Sequence, residues 1–361
     1  MRSRITKLIQ RVRVFGGRPY VRVAGGSHRW LYKQRIEVDR TVSPPRFALY
    51  ATPLTASLNR HLARAPRPEA LLVTQMGRFG NSFQQICNAV RLAHSTGVKQ
   101  LYLEPTHWLK TEFGTSVGVR VRQLSGAGNP VIRGGQLGVG RFLWGHEFSY
   151  ARLPLTEAQI ATELRKNLSF HPRSKEFGER DLVIHLRGGD VYSSDPPRDY
   201  GQPPAGFYEH VIGIFPWASV TVIYEDEKPV TLQHLVEFAR TAGCPFRFQS
   251  GSLEDDLAVL LAAKNLVVGN GSFGRAICQL SCDLKTVYRL KGTHPLGELA
   301  PPKTEKLVID SQGFFFENVL QRNWTNSDQQ RDLMLSYQAA HFKIEAKSEI
   351  AKVCTKGEKQ L

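Results

Sequence analysis

Asp181-Leu-Val-Ile-His-Leu-Arg-Gly-Gly-Asp190 joins a short apolar, β-branched run to an Arg, two glycines and an Asp. Leu182 to Leu186 has the pattern of a strand buried on both faces, interrupted by a single His. Arg187 falls where such a strand stops, and in open α/β sheets ligands bind at the carboxyl ends of the strands. A guanidinium beside glycines, which let backbone approach closely, suits a phosphate better than a carbon skeleton. Tyr200-Gly-Gln-Pro-Pro204 follows closely as a polar, proline-rich loop.

Outward from this strand the second half alternates. Helices are expected near 207–214, 232–241 and 253–263, with strands at 220–224, 246–249, 266–269 and 286–290. A turn, Gly269-Asn-Gly-Ser272, opens a further helix that runs to Cys282. Strict alternation implies a parallel sheet with right-handed crossovers. The first half holds a second βαβ unit: strand Leu71–Met76, turn Gly77-Arg-Phe-Gly80, helix from Asn81 to Gly97, strand Gln100–Leu103. Asn81 is placed to cap that helix and Gly97 to end it. The fold class is therefore α/β with two domains, and the boundaries read as 1–65 (a basic extension), 66–178, 179–310 and 311–361 (a polar, helical tail).

The chain has 361 residues, 41% hydrophobic and 22% charged, which is ordinary for a globular protein. No run approaches the roughly 20 apolar residues of a membrane helix, and no secretory h-region stands near the start, so a cytoplasmic location is expected. The five cysteines are odd in number and scattered without a CxxC, the usage of reduced thiols rather than a zinc set. The net charge is +16, and ten basic residues precede the first acid, Glu37. Ile5, Leu8, Ile9, Val12 and Val14 interspersed among them favour an amphipathic helix on an anionic membrane surface. A solvated basic face, a nucleic-acid arm and a targeting segment compete with that reading, though no RNA-binding module is recognisable.

Four further places carry chemistry. His185 and Arg187 share one side of their strand, and Asp190 can orient the Arg; a plain Arg187–Asp190 salt bridge is the competing reading. Ser272 opens a helix after a glycine turn, where free N–H groups and the helix dipole favour an anion, or where Ser simply caps. Ser252 and Asp255 resemble a capping box, and Asp256 is left to face a base or ribose at the sheet end. Glu225-Asp226-Glu227 offers only oxygen ligands and reads as loop acids. G-x-x-x-x-G-K-[ST] does not occur at the Gly269–Ser272 turn, where Arg275 stands in place of the Lys, so the turn does not indicate an ATPase.

Taken in order, these places resemble the inverting GDP-fucose-dependent fucosyltransferases, especially the α1,2 branch, glycosyltransferase family 11. The family's G-R-[LF]-G-N turn corresponds to Gly77-Arg-Phe-Gly-Asn81, and its H-x-R-R-x-D motif to His185-Leu-Arg187-Gly-Gly-Asp190. Gly145-His-Glu-Phe148 loosely matches a G-Y-[FW]-Q element, Tyr224-Glu-Asp226 an S-D-D element, and Asn270-Gly-Ser272-Phe273 an S-x-F element. The resemblance spans roughly residues 70 to 290. It implies a GT-B-like pair of Rossmann-like domains with a cleft between them, the acceptor bound by 66–178 and the nucleotide-sugar donor by 179–310. It further implies metal-independent transfer of fucose from GDP-fucose to a glycan hydroxyl with inversion, with no cofactor beyond the donor. Arg187 would hold the diphosphate with Ser272 and Phe273 nearby, His185 and Asp256 would contact the guanosine, and Asn81 would line the cleft. Glu147, Asp190 and Asp195 are candidates for the general base. Gly188 stands where members commonly carry a second Arg, and Gly274-Arg275 where Trp-Trp often follows, which leaves another nucleotide sugar open as the donor.

Overall fold

The computed structural model describes residues 12–15, 18–22, 29–31, 70–73, 76–124, 137–140, 155–173, 176–297, 299 and 302–345. The chain is α/β, and its contacts divide it into two units. One comprises Met1–His171 with Arg275–Ser281 and Leu296–Ala300; the other comprises Pro172–Gly274, Cys282–Pro295 and Pro301–Leu361.

In the first unit, β1 (Val12–Phe15), β2 (Arg18–Arg22) and β3 (Arg29–Leu31) form a small antiparallel sheet. Val12 and Val14 thus lie on a strand, not on the expected amphipathic helix: alternating Val with Arg over four residues satisfies a period of two. Residues 1–11 of that expectation lie outside the described residues. The main sheet of this unit runs β6-β7-β5-β4-β8, from β4 (Ala70–Val73), β5 (Gln100–Leu103), β6 (Glu112–Gly114), β7 (Arg120–Gln123) and β8 (Leu137–Gly140). All pairings are parallel except β6 with β7. Helix α1 (Phe79–Thr96) links β4 to β5 and buries Phe83, Ile86, Cys87 and Val90 at helical spacing. Gly97 ends it in a left-handed conformation (φ 76°) that donates to Ala93 and His94 carbonyls. Arg78 occupies the N-cap position, so Asn81 falls inside the first turn and does not cap the helix. Helix α2 (Glu157–Arg165) opens with a Thr156–Gln159 capping box.

The second unit is built on β9 (Asp181–Leu186), with α3 (Ala205–Gly213), β10 (Ser219–Tyr224), α4 (Val230–Phe238), β11 (Phe246–Gln249) and α5 (Leu253–Leu260) after it. Then come β12 (Asn265–Val267), α6 (Ser272–Leu280, of which Arg275–Leu280 belong to the first unit), β13 (Thr286–Leu290), β14 (Thr304–Asp310), α7 (Asp328–Ser336) and β15 (Phe342–Ile344). The sheet order is β11-β10-β9-β12-β13-β14-β15. Every pairing is parallel except β14 with β15. Counted from β9, the parallel strands follow the order 3-2-1-4-5-6 of a Rossmann sheet.

Leu182, Ile184 and Leu186 on one face of β9 join a core with Val220, Val222, Phe207, Tyr208 and Leu290. Burying each such side chain stabilises the fold by about 1.5–3 kcal/mol. The same core takes in Phe315, Val319, Trp324, Met334, Tyr337 and Phe342, and β15 extends the sheet. Residues 311–345 are therefore an integral layer of the second unit, where a separate helical tail was expected. Their apolar side chains fall in short clusters such as Phe314–Phe316, Val319–Leu320 and Leu333–Leu335, which a period-based reading does not join into one packed layer.

Candidate functional site

β9 and β12 are neighbours, yet the chain leaves β9 toward β10 and leaves β12 toward β13, in opposite directions. This switch point opens a crevice at the strands' carboxyl ends, where Arg187 and the Gly269–Ser272 turn both lie. The two are in contact. A Cβ built at Gly269 would stand 3.3 Å from Arg187 Cβ, and one at Gly271 3.1 Å from Arg187 Nη1. Gly271 also has φ +138°, so the guanidinium packs against backbone that only glycine supplies easily. Helix α6 begins at Ser272, which makes Gly271 its cap position and Ser272 its first helical residue. That first turn carries the positive end of the helix dipole.

Arg187 is held in a defined pose. Its Nη2 donates to Asp190 Oδ1 (2.9 Å), and the guanidinium carbon lies 5.6 Å from the Tyr200 ring centroid. Its side chain is only 12% exposed, whereas that of Asp190 is 50% exposed. The salt bridge read from the sequence therefore exists, but a half-solvated partner makes it worth little. Arg187 Nε is buried and makes no hydrogen bond with any of the described residues. A buried guanidinium N–H of this kind is suited to an anion.

His185 stacks on Phe273 (4.5 Å between centroids, 18° between planes), and its Nδ1 is likewise buried without a partner. Burial, then the neighbouring Arg187 charge, holds its pKa down at about 3, so the ring stays neutral beside the guanidinium. Arg187, Asp190, His185, Ser272 and Phe273 are thus brought to one end of the sheet. Asp256 lies at the β11–α5 turn, where its Oδ1 accepts from Gln249 Nε2 (2.9 Å) and Gly251 N (3.2 Å). Burial raises its pKa. Asn81 belongs to the first unit, on α1, and Glu147 lies outside the described residues. Asp195 is exposed.

The Tyr200–Pro204 loop is tied to the turn by a buried amide pair that the sequence does not reveal. Gln202 Nε2 donates to Tyr200 O (2.9 Å) and Asn270 O (3.1 Å), while its Oε1 accepts from Asn270 N (3.0 Å). Asn270 Nδ2 donates to the carbonyls of Asp199 and Gly201 (both 3.0 Å). Its Oδ1 accepts from the backbone N–H of His294 (2.8 Å). The conspicuous prolines marked the loop; its partner 68 residues away carried no local signal.

Comparisons with known proteins add little. No protein-family model and no curated protein matches the chain. Among solved structures, it is similar to the bacterial iron-containing dodecameric glycosyltransferase TibC from enterotoxigenic E. coli H10407. The identity is 13% and the TM-score 0.44, over 76% of this chain and 74% of that one. E. coli heptosyltransferase WaaC with ADP gives 11% and 0.38, over 72% and 98% of the two chains. POFUT1 in complex with GDP gives 10% and 0.34, over 67% and 99%. All three TM-scores fall below 0.5.

Gly188 and Arg275 each have a defined structural setting. A Cβ at Gly188 would fall against Asp226 Oδ1, far inside van der Waals contact. Asp226 in turn accepts from Gly189 N (3.1 Å) and Lys228 N (3.2 Å), which makes it a structural brace of the loop after β9. Gly188→Ala should therefore destabilise the protein by about 1–3 kcal/mol in urea unfolding. The penalty should largely vanish in an Asp226→Ala background; an additive loss would show that the two positions are uncoupled. Arg275 forks onto Glu157, with Nε donating to Oε1 (3.0 Å) and Nη2 to Oε2. Among the described residues, no group of three or more His, Cys, Asp or Glu is arranged to hold a metal. No helix among them is long and apolar enough to cross a membrane.

Proposed function

We propose that this protein is a glycosyltransferase that binds a nucleotide sugar at the β9–β12 switch point. The observation that carries the reading is Arg187, with its buried unsatisfied Nε, packed on the glycine turn that opens α6. Its guanidinium, fixed beside the positive end of the α6 dipole, is a preorganised seat for a diphosphate. In sugar transfer, negative charge grows on the leaving phosphate as the sugar acquires oxocarbenium character. Fixed donors aimed at that phosphate stabilise the transition state more than the ground state. The order of the sequence motifs favours GDP-fucose as donor and a glycan hydroxyl as acceptor, with inversion. On this reading His185, Phe273 and Asp256 lie toward the guanosine, and Asn81 and the 66–178 domain toward the acceptor. On the same reading the diphosphate charge is met by Arg187 and the α6 dipole, without a metal ion. The basic segment before Glu37 would give a cytoplasmic enzyme a peripheral contact with anionic membrane.

Calorimetric titration of the purified protein with GDP, GDP-fucose, UDP, ADP and inorganic pyrophosphate tests the reading. Binding of the diphosphates with a preference for guanine is expected; no binding of any of them would overturn it. A second reading, the same scaffold with another nucleotide sugar, is favoured by Gly188. Asp226 fills the space where the second Arg of the fucosyltransferase motif would begin. A donor panel read by mass spectrometry separates the two: transfer from a different nucleotide sugar, and not from GDP-fucose, selects the second.

A further inference from the structure

His294, on the loop after β13, completes the crevice in a way that no motif marks. Its ring stacks on Tyr200 (4.9 Å between centroids, 29°), the same ring that the Arg187 guanidinium approaches. Its loop is anchored from below. Arg289, itself paired to Glu305 (2.6 Å), donates through Nη1 to Thr293 O (2.9 Å), and Thr293 Oγ1 donates to Leu290 O (2.7 Å).

The hydrogen bonds fix the proton on the imidazole. Asn270 has both amide protons directed at carbonyl oxygens and its Oδ1 at a backbone N–H, so its amide orientation is unambiguous. His294 Nδ1 lies 2.6 Å from that same Oδ1. An amide oxygen only accepts, so Nδ1 must carry the proton. In the neutral ring Nε2 is then a lone-pair acceptor. Nε2 makes no hydrogen bond with any of the described residues, and the residue is partly exposed. Charges around it set its state: burial lowers its pKa, Arg187 and Arg289 lower it further, and Asp199 opposes them. The ring thus remains neutral, an acceptor placed among cations.

We propose that His294 Nε2 is a ligand contact, accepting a hydrogen bond from a hydroxyl of the ribose or of the transferred sugar once Arg187 has seated the diphosphate. The inference rests on the nucleotide-sugar reading. It assigns His294 to recognition of the hydroxyl-bearing part of the donor, and Arg187 to its charge.

Long-range ¹H–¹⁵N correlation spectra of histidine-labelled full-length protein give the first readout, with His294 expected as the Nδ1–H tautomer. A protonated Nε2 in the free protein would overturn the proposal. The second readout is affinity in His294→Asn, whose shorter amide keeps a donor near Asn270 Oδ1 and lacks the Nε2 acceptor. Its melting temperature should match the wild type. Binding of GDP-fucose should weaken about 5- to 10-fold, the worth of one hydrogen bond, while inorganic pyrophosphate binds unchanged. A matching loss with GDP assigns the contact to the ribose; a loss confined to GDP-fucose assigns it to the sugar. Equal GDP-fucose affinity in variant and wild type, or an equal loss for pyrophosphate, overturns this contact alone. Failure of the wild type to bind any diphosphate overturns it together with the reading beneath it.

Discussion

Arg187→Ala should lower turnover with the nucleotide-sugar donor by at least about 100-fold and leave the melting temperature unchanged or raised. Loss of a preorganised donor to the developing charge of a transition state is worth about 10²–10³ in rate. The stability side follows from the side chain's surroundings. Among the described residues Arg187 Nε is buried without a partner, and its carboxylate partner, Asp190, is half exposed. Removing it deletes an unsatisfied buried donor and a weak ion pair, neither of which stabilises the fold appreciably. A variant that is inactive and fully folded would mark Arg187 as a residue kept for its ligand. Near-normal turnover would remove it from the reaction, and a large fall in melting temperature would make it a structural residue instead.

Asn270→Ala should have the opposite profile, a loss of about 3 kcal/mol or more in folding stability. Four groups lose their partner at once: the carbonyls of Asp199 and Gly201, and the backbone and ring N–H of His294. Each buried group left unsatisfied costs about 1–3 kcal/mol, and some are rescued by water or by relaxation of the loops. Chemical unfolding measures the loss directly. A change below about 1 kcal/mol would mean that the two loops hold their positions without the amide.

The contrast between these residues also marks how far the sequence could be read. β9, the helices beside it and the Gly269–Ser272 turn are local features. Leu182–Leu186 is apolar because both faces of that strand are covered, and Gly271 is glycine because its backbone conformation and Arg187 require it. Such constraints leave their mark within a few residues. Asn270, Gln202 and His294 do not advertise themselves, because a polar side chain looks the same in sequence whether it faces solvent or a carbonyl 68 residues away. Asn270 drew notice as part of a glycine turn, whereas the structure uses its side chain as the knot between two loops. The layer formed by residues 311–345 escaped for a related reason: its large side chains meet partners far back in the chain, at spacings that match no helix or strand period.

That layer bears on the order in which the protein becomes competent during synthesis. Trp324 Nε1 donates to Val191 O (2.6 Å), and Asn326 Nδ2 donates to Tyr192 O (3.0 Å) and Ser193 O (3.2 Å). The backbone of Val319 abuts Gly201, where no side chain would fit. The loop between Arg187 and Tyr200 is thus fastened by residues translated some 133 positions later, a delay on the order of ten seconds at the ribosome. Nascent chains arrested at residue 310 should be cut by protease between residues 189 and 201, and released chains should resist; equal resistance would show that the fastening is dispensable. The parallel strands thus precede in synthesis the segment, Val319 to Asn326, that fastens the loop after β9.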